Sequence, residues 1–378
     1  MKLVRIAATL TLTACAARDA TSPALPNDAA LSRENVGTSA VGAVYTETND
    51  ANANAVRVFA RASDGKLTFA ADYATGGKGN GAPGLGSQGA VIIAEERFVL
   101  AVNAGSNEIS SFRIGASGLT LVETISSGGV MPVSVAAYGG LVYVLNAGSD
   151  NVTGFRLNSV GDLTAIPGST RALSGSGTGP AQIGFHPRGR QLVVTEKATN
   201  KIDVFAVNQG GTLSGPAVNA SNGATPFGFE FSQRGQLLVS EAFGGAPNAS
   251  VTSSYGLGDN GTLITFSKSL PTTETAACWV VITSNQSYVY VTNTGSNTIT
   301  GYALAPNGTL RRLSDDGVTA RTQIGPIDAA FSRGSQFLYT LDRGSGAISI
   351  FAVNANGSLT PLGAQTGLPT TSYGLIAR

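Results

Sequence analysis

The feature that most constrains this chain is a motif of about 45–50 residues that recurs along nearly its whole length, the span of a propeller blade. It is clearest from Pro326 onward. An apolar run at 327–332 leads to an Arg333-Gly334 turn, a second run at 337–341, a Gly-Ser-Gly turn, a third run at 347–353, and a fourth after Asn356-Gly357. With the four runs named A to D from the first, run B recurs at 99–103, 142–146, 192–196, 237–241 and 289–293; with 43–48 and 338–342 the count is seven. Run C recurs at 109–113, 152–156, 202–207, 251–255 and 299–303, alternating apolar with polar residues as half-buried strands do. A glycine followed closely by leucine marks the C-to-D turns, as in Gly65-Lys66-Leu67, Gly211-Thr212-Leu213 and Gly308-Thr309-Leu310.

These repeats predict an all-β fold, a seven-bladed β-propeller of four-stranded antiparallel blades. The first unit opens with run B, whereas the chain ends at 372–377 with a run A that nothing follows. The two fragments complete one blade, and 372–377 is expected to pair with the strand near 41–46. Such closure removes the open sheet edges that a gapped toroid would carry. Composition agrees with a turn-rich β-protein: 49 glycines, 12 % charged residues and 42 % hydrophobic residues in a chain of 378. Lys+Arg at 24 against Asp+Glu at 23 leave a net charge of +1, so no global field draws the chain to nucleic acid or to an anionic membrane.

Residues 1–14 read as a signal peptide, with Lys2 and Arg5 ahead of an apolar stretch at 6–12 too short to span a bilayer. Leu12-Thr13-Ala14-Cys15 resembles a bacterial lipobox, which makes Cys15 the expected lipidated N-terminus of an exported cell-envelope lipoprotein, periplasmic or surface. The alternative is plain secretion after cleavage near Ala17. Residues 15–40 lack a hydrophobic period and read as a flexible tether to the propeller at 41–378. The membrane is expected to be met only through that lipid anchor, and the protein is expected to be a monomer. Cys15 and Cys278 fall on opposite sides of the cleavage boundary, so no structural disulfide is expected.

The pattern Pro-x-x-x-x-x-Ser-x-Gly followed by Leu-Tyr-x-x-Asp, at Pro326 to Asp342, the related stretch at Gly189 to Glu196, and the tetrapeptide Tyr290-Val291-Thr292-Asn293 resemble the lactonase family of seven-bladed propellers, with its Tyr-Val-Thr-Asn repeats. The match covers about residues 41–378. That family includes 6-phosphogluconolactonase-like and carboxymuconate-cyclase-like proteins, so the resemblance implies a funnel that binds or opens a small cyclic ester. One departure stands out. Family members carry a histidine directly after the proline of a middle inner strand, and here Ala181 follows Pro180. The single histidine, His186, sits in a His-Pro-Arg-Gly turn on the opposite rim, where the turn itself accounts for it.

If the A strands line the channel, the second residue after each proline-equivalent faces it: Gly89, Ser134, Gln182, Gly228, Trp279, Asp328 and Tyr373, with Glu230 one layer down. Hydrogen-bonding groups mixed with aromatic surface suit a ligand site, so Ser134, Gln182, Glu230, Trp279 and Tyr373 are expected to bind a small molecule. The last residue of strand B supplies a second ring, Asn103, Asn146, Glu196, Glu241, Asn293 and Asp342. Asn and Asp are ordinary turn residues there, but Glu196 and Glu241 are not, and the loop 242–250 beside them is long enough for a lid. With Asp328, the two glutamates are candidate catalytic acids and bases. They are equally candidate ligands for Ca²⁺, although nothing in the sequence requires a cofactor. A third possibility is a plain ion pair of Glu196 with Lys197 or Lys201. Two functions therefore stand open: a lactone hydrolase acting on a cyclic ester or sugar-acid-like ligand, and a non-catalytic envelope propeller that contacts proteins or glycans.

Overall fold

A computed structural model describes residues 40–82 and 85–378; the expected leader, Cys15 and nearly all of the tether lie outside the described residues. Seven antiparallel sheets follow one another around an axis. Blade 1 joins the two ends of the chain, with Tyr373–Ala377 as its innermost strand A beside Gly42–Glu47, Ala55–Arg61 and Leu67–Ala74. The pairing sets Val44 opposite Ala377, Tyr45 opposite Ile376 and Glu47 opposite Tyr373, so the expected closure is met. Blades 2 to 7 run in chain order, their A strands being Val91–Ala94, Pro132–Tyr138, Pro180–Phe185, Pro226–Phe231, Ala277–Ile282 and Pro326–Phe331. In blades 3 and 6 strand D is interrupted, as Leu163–Ala165 with Arg171–Ala172 and Leu310–Arg312 with Ala320–Arg321.

Burial explains the change of pattern from strand to strand. Strand B lies between neighbouring blades, so Phe98–Asn103 is buried along its whole length and reads as a continuous apolar run. Strand D is the outer edge, and Leu67–Ala74 exposes most of its residues. The turn glycines are needed where they stand: Gly65, Gly211, Gly261, Gly308 and Gly357 all hold φ between 82° and 89°, a region that side chains with a Cβ avoid.

Those turns also lock one blade to the next. Tyr143 of blade 3 donates its hydroxyl to the Gly211 carbonyl of blade 4 (2.5 Å), Tyr290 of blade 6 to Gly357 of blade 7 (2.8 Å), and Tyr339 of blade 7 to Gly65 of blade 1 (2.9 Å). The recurring tyrosine of strand B is thus a latch with its polar end satisfied in an apolar wall. Among the described residues no helix is long and apolar enough to cross a membrane.

Candidate functional site

The ends of the A strands nearest the B-to-C loops converge on the chain's own segment 85–89. Blade 2 has a short strand A because its preceding residues turn into the channel, helped by Gly86 and Gly89 at φ 61° and 80°. The Gly86 N–H donates to Tyr373 Oη (2.9 Å), Trp279 Nε1 donates to the Ser87 carbonyl (3.1 Å), and Ser134 Oγ donates to the Gln88 carbonyl (2.6 Å). Lys197 Nζ donates to the Gly86 carbonyl and lies 4.8 Å from the Phe227 ring centre, and burial lowers its pKa to about 8. A Cβ on Gly228 would collide with the Cys278 carbonyl and with Gln88. Trp279 and Tyr373, expected to offer aromatic surface to a ligand, are therefore fully buried around this plug, with ring centres 6.3 Å apart.

Below the plug lies a cavity of about 380 Å³, lined from all seven A strands, in six of them beyond the strand's first two residues, and so placed toward the A-to-B turns. Its polar lining residues are Gln88, Gln182, Glu230 and Asp328; the others are apolar or glycine. Three of the four are committed to backbone. Gln182 bridges blades 4 and 5 through Phe229, accepting its N–H (2.6 Å) and donating to its carbonyl (2.9 Å). Gln88 Nε2 donates to the Val280 carbonyl at 3.3 Å. Asp328 accepts N–H bonds from Ala329 (2.7 Å) and from Leu375 of blade 1 (3.0 Å), and burial holds its pKa well above the carboxylate range. Glu230 differs: among the described residues no group donates a hydrogen bond to its carboxyl, which burial raises to about 7.

Glu196 and Glu241 do not line this cavity. Each is fully buried at the end of its strand B and receives the linker arriving from the preceding blade. Glu196 accepts from Ser174 N (3.0 Å), Ser174 Oγ (2.7 Å) and Thr199 Oγ1. Glu241 accepts from Ser221 Oγ (2.7 Å), Gly223 N (2.9 Å), Tyr255 Oη (3.1 Å) and Ser253 Oγ (2.7 Å). Asn103, Asn146, Asn293 and Asp342 occupy the same position, all fully buried, and Glu47 of blade 1 makes the seventh member. This ring is a structural girdle, and the two glutamates have separate partners. Lys197 turns to the plug, and Lys201 Nζ donates to Ser174 Oγ (3.2 Å). The loop 242–250 is tied to the linker before it by Phe243 N to the Ala224 carbonyl (3.1 Å) and Gly244 N to Thr225 Oγ1 (3.0 Å), on the rim opposite the cavity. Among the described residues no group of three His, Cys, Asp or Glu side chains is gathered that could hold a metal ion.

Comparison with known proteins decides the family. The family model described as lactonase, 7-bladed β-propeller, matches residues 49–172, 162–242 and 252–373. The chain belongs to the lactonase family. Solved structures with the same architecture include a protein from Lactobacillus plantarum, 17 % identical with a TM-score of 0.74, covering 89 % of this chain and 99 % of that one. A protein from Bacteroides fragilis assigned as a 6-phosphogluconolactonase is 18 % identical with a TM-score of 0.71, over 91 % and 100 %. The periplasmic gluconolactonase of Pseudomonas aeruginosa is 17 % identical with a TM-score of 0.68, over 88 % and 98 %. At these identities the likeness is one of fold. No curated protein matches the chain.

Within this lactonase-family frame, Ala181 takes the position of the family histidine, and its carbonyl accepts the Gln88 N–H (3.1 Å) of the plug. His186 lies outside the cavity lining; its Nδ1 accepts the Arg188 N–H (3.1 Å) and its ring meets Phe231 edge-on at 5.3 Å, in keeping with a turn role. Cys278 is fully buried, and Cys15, the other half of the cysteine expectation, lies outside the described residues. The residues that sequence reasoning missed are Gly86 to Gln88 and Glu47, and Lys197, expected as an ion-pair partner of Glu196, goes to the plug instead; only the Gly-rich stretch before Gly89 hinted that strand A would break there.

Buried acids in the girdle, and Asp203 on the neighbouring strand Lys201–Val207, make stability depend on pH. Burial raises Asp342 to about 7, burial and the neighbouring Glu196 raise Asp203 to about 8, and burial pushes Glu47 well above its ordinary value. Each binds its proton more tightly in the folded chain than in the unfolded one, where carboxyls titrate near about 4. Their stabilisation is therefore complete below about pH 4 and is lost as pH rises through about 7–8. The thermal midpoint is expected to fall by about 5 °C between pH 5.5 and pH 8.5, read by scanning calorimetry. A flat or rising midpoint would mean that these acids are not protonated in the fold.

Proposed function

We propose that this protein is an exported lactonase-type propeller that binds and opens a small cyclic ester in the central cavity, with Glu230 as its base. The observation that carries this reading is the single uncommitted carboxyl in the cavity, tuned by burial to about 7. Family membership supports the reaction class, and the leader with Leu12-Thr13-Ala14-Cys15 supports export.

The Glu230 carboxylate takes a proton from water, and the hydroxide adds to the ester carbonyl carbon. The ring C–O bond then breaks, and the ring oxygen leaves as an alcohol by taking the proton back from Glu230, giving the open hydroxy acid. Asp328, whose pKa burial holds well above the carboxylate range, stands in the same lining to donate, in its protonated form, a hydrogen bond to the carbonyl oxygen, where negative charge develops.

On a panel of γ- and δ-lactones, assayed with and without Ca²⁺, Glu230→Gln is expected to lower kcat/KM by about 10²–10⁴-fold. Activity of the unaltered protein is expected to rise with pH through about 7, as Glu230 loses its proton, and the variant is expected to lose that rise. No turnover across the panel, or turnover that Glu230→Gln leaves intact, removes this reading. The calcium arm covers the expectation of a cation at Glu196 and Glu241: turnover that requires Ca²⁺ and is lost in Glu196→Gln would place the chemistry in the girdle instead.

A further inference from the structure

The chemistry of the cavity wall limits what can enter it. Its lining contains no lysine, arginine or histidine among the described residues, and its two titratable groups are the acids Glu230 and Asp328. Two glutamines aside, the side chains of the rest are apolar, with Phe185, Phe231, Ile282, Phe331 and Ile376 contributed by the ends of five A strands, all half-buried. Gln88 and Gln182, the neutral polar residues, have their amides tied to backbone of the neighbouring strands and so offer little to a polyhydroxylated ring. Arginines do occur on the same rim, at Arg188, Arg234 and Arg333. They sit in the exposed A-to-B turns outside the lining, and Arg333 is paired with Glu96 at 3.6 Å. Exposed charges of this kind are screened and cannot follow an anion inward.

We infer that the cavity takes uncharged lactones carrying an apolar substituent, alkyl or aryl, and turns away phosphorylated or carboxylated ones. The physical reason is desolvation. An anion that leaves water for a wall without a cationic side chain forfeits hydration that no opposite charge replaces, and the nearby acids add repulsion whenever Glu230 is ionised. An aryl or alkyl group, in contrast, loses water gladly against phenylalanine and isoleucine. This inference rests on the proposed lactone site but concerns which lactones fit it.

The test is binding, measured by calorimetry on the full chain at pH 7 with three probes: γ-butyrolactone, γ-phenyl-γ-butyrolactone, and the latter carrying a para-carboxylate on its ring. The phenyl lactone is expected to bind at least about tenfold tighter than γ-butyrolactone, and its carboxylate at least about 100-fold weaker than the phenyl lactone, about 2.7 kcal/mol. Ile282→Arg, which puts a cation into the wall, is expected to recover at least about tenfold of the carboxylate's affinity. Equal or tighter binding of the carboxylate, no detectable binding of the phenyl lactone at millimolar concentration, or no response to Ile282→Arg would each overturn the inference. Selective binding without turnover would remove only the hydrolytic reading, and turnover without selectivity would remove only this one.

Discussion

A chain shortened by residues 368–378 is expected to lose cooperative thermal unfolding altogether. The missing segment supplies strand A of blade 1, so its removal leaves Gly42–Glu47 with one side unpaired along the channel. Tyr373 and Leu375, 1 % and 4 % exposed, and Leu368 at 6 % go with it. Burial of side chains of this size is worth about 1.5–3 kcal/mol each, which together rivals the whole stability of an ordinary domain. The loss does not stop at blade 1. Asp328 of blade 7 loses the Leu375 N–H, and the plug loses the Tyr373 hydroxyl that accepts from Gly86. Calorimetry and near-ultraviolet dichroism read the outcome; a shortened chain that still melts sharply within about 5 °C of the intact one would show that the ring holds without its clasp.

Glu241→Ala is expected to cost about 3–5 kcal/mol without touching the cavity. The substitution strands four donors in the interior, Ser221, Gly223, Ser253 and Tyr255, and a buried donor without a partner costs about 1–3 kcal/mol. Glu241→Gln keeps one acceptor oxygen and lets its amide donate to a serine hydroxyl, so it is expected to cost less than half as much. Denaturant titration of the two variants separates the readings. If Glu241 were a catalytic group instead, both variants would fold with near-normal stability and lose turnover.

The fold was legible because its signals are local and repeated. Strand alternation, glycine turns with positive φ and the closing run at 372–377 each act over a few residues, so seven copies reinforce one another. The site was legible only in part. Gln182, Glu230 and Asp328 come to the cavity as the strand period requires, because inward placement on strand A is a matter of counting. Trp279 and Tyr373 are just as inward, yet segment 85–89 occupies their space, and no strand or turn signal announces that a linker will fold into a channel. The two glutamates stood out because glutamate is an odd choice for a turn. In the fold they act as longer versions of Asn103 and Asn146, reaching N–H and O–H groups of the incoming linker, and Glu47 in the first blade was the sign that the position is structural.

The antiparallel pairing of Gly42–Glu47 with Tyr373–Ala377 brings both chain termini of the toroid to the rim of the A-to-B turns, with Ala43 and Arg378 exchanging backbone hydrogen bonds at 3.2 Å and 2.9 Å. Any carrier fused at either extremity would consequently stand like a doorpost next to the cavity mouth and narrow the approach of a ligand. Splicing the old ends together through a few residues and cutting the backbone at an exposed bend such as Gly168, where an added Cβ would meet nothing, would relocate the fusion points to the periphery and free the doorway.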